Sequence, residues 1–217
     1  MKSLADSIDA LYLAFGDVPK PRTIEGCPCC IEKKNIGTLL SKPLRELSPG
    51  DLSSYASSAF LTVGEVADYL YFLPRIIEIS CTESGWWPDV PVTGSAVSET
   101  HPADWPSLRR DALCDVLHAV VQETARISDA GWIIDDWICA IAKMGLPVGP
   151  FLGQMESHPA LVLSFYERNS QSMMKQRLSN SFWDRTDPGY DEVLAWFESP
   201  KVSQIIMEAY GLNQNSQ

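Results

Sequence analysis

The sequence predicts an all-α protein, and three observations support this fold class. Apolar residues recur every three or four positions through most of the chain, which is the spacing of the buried face of a helix. No stretch alternates apolar and polar residues for long enough to indicate a sheet of any size. Several prolines stand where a helix would begin, and a missing N–H costs nothing at that position. We therefore expect a single globular domain over residues 1–217, with about seven to nine helices and long loops containing proline and glycine.

The N-terminal part of the chain combines a clear helix with an irregular stretch. An apolar stripe over residues 4–15 predicts a helix that is capped by Ser3 and closed by Gly16. Residues 17–50 hold five prolines and three glycines, so they leave room only for short helical turns. We expect this segment to be either a long ordered loop packed on the body or an arm that binds a partner.

The rest of the chain is predicted to be mainly helical, apart from a loop over residues 82–104. Pro74 lies inside a strongly apolar stretch, where it should kink or break the helix near Phe72. The clearest helix follows Trp105, because Pro106 suits a first helical position and a wide apolar stripe comes after it. The helices predicted after residue 50 cover 51–62, 63–79, 105–127, 158–168, 170–182, 189–198 and 200–211. A further apolar helix is predicted between the turn at 128–131 and Gly145.

The distribution of charge bears on the kind of partner. The net charge is −11, and residues 51–150 alone hold fourteen acidic against five basic residues. Such a surface repels phosphate backbones, so direct binding of nucleic acid is not expected. It would attract a basic protein and speed its association. The alternative is that the acidity only keeps a bacterial protein soluble.

The chain is expected to be cytoplasmic. Asp6 and Asp9 fall inside what would have to be the apolar part of a signal peptide. No run of residues approaches the roughly 20 apolar positions that cross a bilayer, so no membrane contact is expected. The six cysteines are then expected to be reduced. A chain of this length can bury a core without disulfides or metals, and no cofactor is predicted.

Cys27 and Cys30 form the densest chemical cluster, with the C-x-x-C spacing that can hold a metal ion or form a redox pair. A structural zinc site needs four ligands, and no second C-x-x-C pair follows. A thioredoxin-like site needs a βαβ context, which the helical pattern does not provide. The favoured interpretation is that these small side chains are buried and anchor the proline-containing segment. Metal binding and redox chemistry remain the alternatives.

Cys114 and His118 are a second candidate pair, because a spacing of four places them on one helix face. Asp111 and Asp115 flank them and could complete a metal site or support a thiol–imidazole pair. Apolar neighbours surround Cys114, so a packed core cysteine is the favoured interpretation. The chain lacks a phosphate loop, a nucleophile elbow and an iron-binding E-x-x-H motif, and we do not expect an enzyme.

The seven tryptophans are the most informative side chains. Trp86 and Trp87 are adjacent in a predicted loop, and two such large rings cannot easily enter one core. Exposed aromatic residues among acids are typical of interface anchors, although long loops also pack their own rings. Four tryptophans lie on or beside apolar stripes, and most of the four are expected in the core. The four are Trp105, Trp132, Trp137 and Trp196. The candidate partner-binding residues are Glu83, Trp86, Trp87, Asp89, Asp129, Asp135 and Asp136.

Two short stretches, Gly26-Cys27-Pro28-Cys29-Cys30 and Tyr71-Phe72-Leu73-Pro74-Arg75, resemble parts of small bacterial helical proteins without assigned chemistry. The overall character of the chain, which is acidic, helical and rich in aromatic residues, resembles that of immunity proteins. Such proteins neutralise bacterial toxins, including those delivered by type VI secretion. The resemblance implies an inhibitor of a toxin or effector enzyme, and it assigns no site residues.

Three hypotheses about function follow. The first is a cytoplasmic immunity protein that occludes a toxin enzyme with an acidic, tryptophan-containing surface. The second is a metal- or thiol-dependent enzyme that uses Cys27/Cys30 or Cys114/His118. The third is a structural subunit of a helical assembly. They predict different observations: a stoichiometric basic partner, a bound metal or reactive thiol, or a stable self-oligomer.

Overall fold

The structure, a computed structural model, describes residues 2–26 and 33–212. Within these ranges the regular elements are α-helices and two short 3₁₀ turns, and the β-type pairings are two isolated bridges that both involve Val63. The all-α prediction is therefore confirmed. The helices are α1 (Leu4–Ala14), α2 (Lys33–Ser41), α3 (Pro49–Ser58), α4 (Val66–Thr82), α5 (Val90–Ser98), α6 (Ser107–Thr124), α7 (Gly131–Lys143), α8 (Gly149–Met155), α9 (Pro159–Met173), α10 (Tyr190–Phe197) and α11 (Pro200–Ala209), and the 3₁₀ turns are Leu44–Glu46 and Pro102–Asp104.

The described part of the chain contains eleven α-helices, so the predicted number of seven to nine is too low. The difference comes from short helices in proline- and glycine-containing stretches. The predicted loop over residues 82–104 contains α5, and the segment 17–50 contains α2. Pro91 in α5 and Pro150 in α8 stand in the first helical turn, where the missing N–H has no partner to lose. Proline there marks the start of a helix rather than a loop.

The helix predicted over 170–182 is also wrong. Helix α9 continues to Met173, and residues 174–189 contain turns and bends without a helix. Gln176 adopts a left-handed conformation (φ 51°), which ends the helical path. The residues around it are mainly polar, so this stretch has no apolar face that would stabilise another helix.

Packing divides the chain into two compact units, Met1–Val116 and Leu117–Gln217, and the boundary falls inside α6. The single domain predicted over residues 1–217 stays a prediction. In the first unit, α4 contacts α1, α3, α5 and the 3₁₀ turn Leu44–Glu46. Its buried side chains include Tyr69, Phe72 and Ile76, so α4 supplies much of the core of this unit.

Pro74 does not break α4, contrary to the expectation from its position in the helix. Proline removes one backbone hydrogen bond and crowds the preceding turn, which costs a helix about 3 kcal/mol. Phe72 and Leu73 before Pro74, and Ile76 and Ile77 after it, are all buried. Burial of this apolar stretch on both sides of the proline holds the helix together across the lost bond.

In the second unit, α7 and α9 form the most extensive helix pair. Gly131 at the start of α7 permits their close approach, because a Cβ there would lie 2.3 Å from the backbone oxygen of Ser164. Helix α11 packs on α9, and α10 contacts α8. Among the described residues, no helix combines the length and the apolar character needed to cross a membrane.

Candidate functional site

The loop between α4 and α5 presents one tryptophan and anchors its neighbour. The indole N–H of Trp86 donates a hydrogen bond of 2.9 Å to the backbone oxygen of Pro49, and this ring is half-buried. The next ring, Trp87, is 56% exposed. Because α3 begins at Pro49, the first tryptophan ties the loop to the start of a helix. The second is thereby held in solvent by a backbone that is already ordered.

Two uncommitted carboxylates accompany the exposed ring. Glu83 directly follows α4 and Asp89 directly precedes α5, and both side chains are exposed. Asp89 occupies the N-cap position of α5, yet its side chain makes no capping hydrogen bond. Neither carboxylate has an ion-pair or hydrogen-bond partner within residues 2–26 and 33–212. We call Glu83, Trp86, Trp87 and Asp89 together the Trp87 surface.

The other three acidic candidates lie in the second unit and occupy different environments. Asp129 is exposed in the turn before α7, where it adopts a left-handed conformation (φ 56°). Asp136 is half-buried and accepts a hydrogen bond of 2.7 Å from the side-chain amide of Asn180. Asp135 is only 1% exposed, so it is not presented to a partner at the surface. Its assignment as a surface contact is therefore corrected: neighbouring positions on a helix face about 100° apart, and Asp135 takes the inward one.

The buried Asp135 carboxyl has a strongly perturbed environment. Neither of its oxygens has a hydrogen-bond partner, and its ion pair with Arg168 Nε spans 3.5 Å. Burial raises its pKa from 3.8 to about 6, and the nearby charge of Asp136 adds to this rise. Arg168 opposes the rise and so, more weakly, do the side chains of Asn169 and Trp183. Burial outweighs them because Arg168 is 47% exposed and solvent screens its charge.

Trp132, which lies on or beside a predicted apolar stripe, is a surface residue. Its side chain is 58% exposed, whereas Trp105, Trp137 and Trp196 are buried as predicted. The helical spacing of the sequence indicates this exposure. Trp132 lies two positions before the buried Ile134, a rotation of about 200°, so it points to the opposite side of α7.

The cysteine candidates for an enzyme gain no support from their surroundings. Cys114 is partly buried, and burial followed by the charge of Asp111 raises the pKa of its thiol, which disfavours the thiolate. His118 stacks on Phe151 at 4.3 Å between ring centroids, and its Nδ1 shares a 2.7 Å hydrogen bond with Gln154 Oε1. Cys27 and Cys30 lie outside the described residues. Groups of three or more metal-binding side chains are not found in the ranges that the structure describes.

Comparison with known proteins does not add a family to these observations. The chain matches no protein-family model, no curated protein and no solved structure.

Proposed function

We propose that this protein is a cytoplasmic inhibitor that binds a basic protein, most concretely an immunity protein that occludes a bacterial toxin enzyme. The observation that carries the proposal is the Trp87 surface, in which an exposed ring is fixed by its anchored neighbour. Tryptophan is, with tyrosine and arginine, enriched among the side chains that dominate binding energy. Trp132 is equally exposed, so it is the two unpaired carboxylates beside Trp87 that make Trp87 the favoured partner anchor among the described residues.

The anchoring of Trp86 bears directly on affinity. A side chain or loop that becomes ordered only on binding costs about 0.5–1.5 kcal/mol per immobilised side chain. The hydrogen bond from Trp86 to Pro49 already fastens the loop to α3 in the chain without a partner. Trp87 can then enter an apolar pocket of a partner with little further loss of conformational freedom.

Charge selects a basic partner. Glu83 and Asp89 have no partner of their own among the described residues, so they are available to cations of another protein. Both units carry an excess of acidic residues: sixteen against ten basic residues in 1–116, and twelve against seven in 117–217. Such a field accelerates association with a basic surface and disfavours nucleic acid. In this mechanism the carboxylates occupy basic substrate-binding residues of the toxin while Trp87 fills a neighbouring pocket.

The test is a pull-down of tagged protein from a lysate of its own host at moderate salt, with the partner identified by mass spectrometry. Trp87→Ala is the test variant, and Trp132→Ala is the matched control because its ring is equally exposed. We expect one stoichiometric partner with a toxin domain, retained by the wild type and by Trp132→Ala but lost with Trp87→Ala. The purified partner should lose its enzymatic activity when one equivalent of the wild-type chain is added.

Two results would contradict the proposal. One is recovery of the tagged chain alone. That result would favour the alternative hypothesis of a metal- or thiol-dependent enzyme that uses Cys27/Cys30 or Cys114/His118. The other is a partner retained equally by Trp87→Ala and the wild type, which would remove the Trp87 surface from the interface.

A further inference from the structure

Residues 174–189, here called the 174–189 segment, lack helix and strand. They are held on the second unit by the buried Leu178, by the ring of Trp183 against Tyr190 and by several polar contacts. Most of these contacts end on α7, α9 or the first residue of α10. Because few apolar side chains of this segment are buried and most of its residues are exposed or half-buried, the segment can open locally while the rest of the unit stays folded. The contacts are Ser179 N to Asn169 Oδ1 (2.8 Å), Asn180 Nδ2 to Asp136 Oδ1 (2.7 Å), Lys143 Nζ to Asp187 Oδ2 (2.9 Å) and Leu178 N to Tyr190 Oη (3.1 Å).

Asp135 lies beside this segment, and its carboxyl group has few polar partners. Neither carboxyl oxygen has a partner at hydrogen-bond geometry, and neither does the indole Nε1 of Trp183, although the side chains of Trp183 and Asn169 lie close enough to favour the carboxylate. A buried charged carboxylate without hydrogen bonds is costly, and such a group avoids the cost by taking up a proton or by reaching water. Trp183 and Asp135 thus couple the position of the segment to the ionisation of one carboxyl.

The charged and titratable groups around Asp135 come from two helices. Arg168 faces it from α9 and favours the carboxylate. Asp136 on α7 itself favours the neutral acid. Cys139, one turn further along α7, feels the charge of Asp135, but burial raises the pKa of its own thiol and keeps it neutral. The half-exposed Arg168 is therefore the one charged group among these that stabilises the ionised form, and it does not offset burial.

We propose that Asp135 is a proton-linked latch for the 174–189 segment. The closed segment holds the neutral carboxyl, and transfer of that proton to water favours an open state in which the carboxylate is hydrated and pairs with Arg168 in solvent. Lowering the pH closes the latch, and raising it loosens the segment.

The size of the effect follows from proton linkage. The pKa of Asp135 is about 6 in the closed state, and it returns toward 3.8 when the group is hydrated. The equilibrium constant for opening should then rise about tenfold between pH 5 and pH 7.5, because the closed state loses its bound proton over that range and the open state has none to lose. Most of this change should fall between pH 5 and pH 6, and the opening constant should level off above the pKa of the closed state.

Hydrogen exchange on the full chain tests this latch. The reporters are the amides of Leu178 and Ser179, whose hydrogen bonds end outside the segment, on Tyr190 and Asn169. After correction for the intrinsic pH dependence of exchange, both should open about tenfold more often at pH 7.5 than at pH 5. Amides in the middle of α7 should stay far better protected at both pH values, which identifies the event as local opening.

Two variants distinguish the latch from a general effect of pH. Asp135→Asn keeps the shape of the side chain and removes the proton, so the opening of Leu178 and Ser179 should no longer depend on pH. Asp136→Asn is the matched control: its amide oxygen can still accept from Asn180, so the pH dependence should persist with a lower midpoint. A pH dependence that survives in Asp135→Asn would overturn the proposal, and so would opening that is equal at pH 5 and pH 7.5 in the wild type.

A direct titration covers the case in which a variant folds poorly. The side-chain carboxyl carbon of Asp135 in the wild-type chain, followed by NMR, should titrate near pH 6 together with the indole N–H resonance of Trp183. An Asp135 carboxyl that titrates near its ordinary value, or an indole resonance that does not move with it, would overturn the latch without any substitution.

Discussion

The indole N–H of Trp86 donates to the backbone oxygen of Pro49 over 2.9 Å, and this bond leaves the adjacent Trp87 exposed. The two neighbouring tryptophans have different roles. Trp86 contributes to the fold, whereas Trp87 is free to contribute to binding. The two residues should therefore respond differently to substitution.

Trp86→Phe should destabilise the fold, and Trp87→Ala should not. Phenylalanine keeps most of the ring but removes the hydrogen bond to the part-buried oxygen of Pro49, which should cost about 0.5–1.5 kcal/mol. Truncation of the exposed Trp87 should change stability by no more than about 0.5 kcal/mol. Urea denaturation of both variants measures these values. A loss with Trp87→Ala as large as that with Trp86→Phe would show that Trp87 supports the fold.

Asp135→Asn should stabilise the protein at pH 7.5 and have little effect at pH 4. The folded state raises the pKa of Asp135 to about 6, so it binds the proton more tightly than the unfolded chain does. The free energy of unfolding therefore falls as the pH rises from about 4 to about 6. Above that range the buried carboxylate is ionised and destabilises the fold by the full amount. A shift of about two units corresponds to roughly 3 kcal/mol. The measurement is the unfolding free energy of the wild type and of Asp135→Asn at pH 4 and at pH 7.5. A difference between the two proteins that is the same at both pH values would contradict a raised pKa of Asp135.

Gly131→Ala should destabilise the second unit, whereas Gly153→Ala should stabilise it. The added Cβ at Gly131 would lie 2.3 Å from the backbone oxygen of Ser164, so α7 and α9 must move apart, at a cost of about 1–3 kcal/mol. Gly153 is exposed within α8, and a Cβ there meets nothing within 4 Å. Alanine at that position should add about 0.5–1 kcal/mol through its helix propensity. Thermal unfolding would reveal opposite shifts in Tm, and shifts of equal sign would contradict this packing.

The paired change Glu83→Gln/Asp89→Asn should slow association with the basic partner and weaken its salt dependence. Removing two unpaired charges beside Trp87 reduces electrostatic steering, which acts mainly on the association rate. Glu99→Gln/Asp104→Asn is a control with the same change in net charge at two other exposed positions. Stopped-flow association rates at low and high salt measure the difference. Equal slowing by both pairs would mean that net charge alone, rather than the Trp87 surface, attracts the partner.

Helices with a wide apolar stripe can be predicted from the sequence, because apolar residues at helical spacing mark the face that will be buried. The pattern predicts a helix over 63–79, where α4 spans Val66–Thr82, and a helix over 200–211, where α11 spans Pro200–Ala209. Short helices such as α5 were missed, because nine residues with a proline and a glycine carry too little periodicity to outweigh those two residues. Their stability comes from contacts with α3 and α4, which no local pattern contains.

The candidate site divides in the same way. Adjacency alone indicated that Trp86 and Trp87 would not both enter a core, and one of the two is exposed in the structure. Adjacency could not indicate which ring that would be, because the choice depends on Pro49, 37 residues away in the chain. Asp135 and Asp136 looked equivalent in sequence, but α9 and the 174–189 segment bury one and leave the other half-exposed.

By itself, the sequence determined that this protein is helical and acidic, because both properties are sums over local residues. The tertiary structure decided which tryptophan is presented, which aspartate is buried and where short helices form. These outcomes depend on contacts between residues far apart in the chain, and the energy of burying a side chain depends on what covers it. A proton-binding carboxyl at Asp135 is therefore a property of the packing of α7 and α9, although aspartate itself is a property of the sequence.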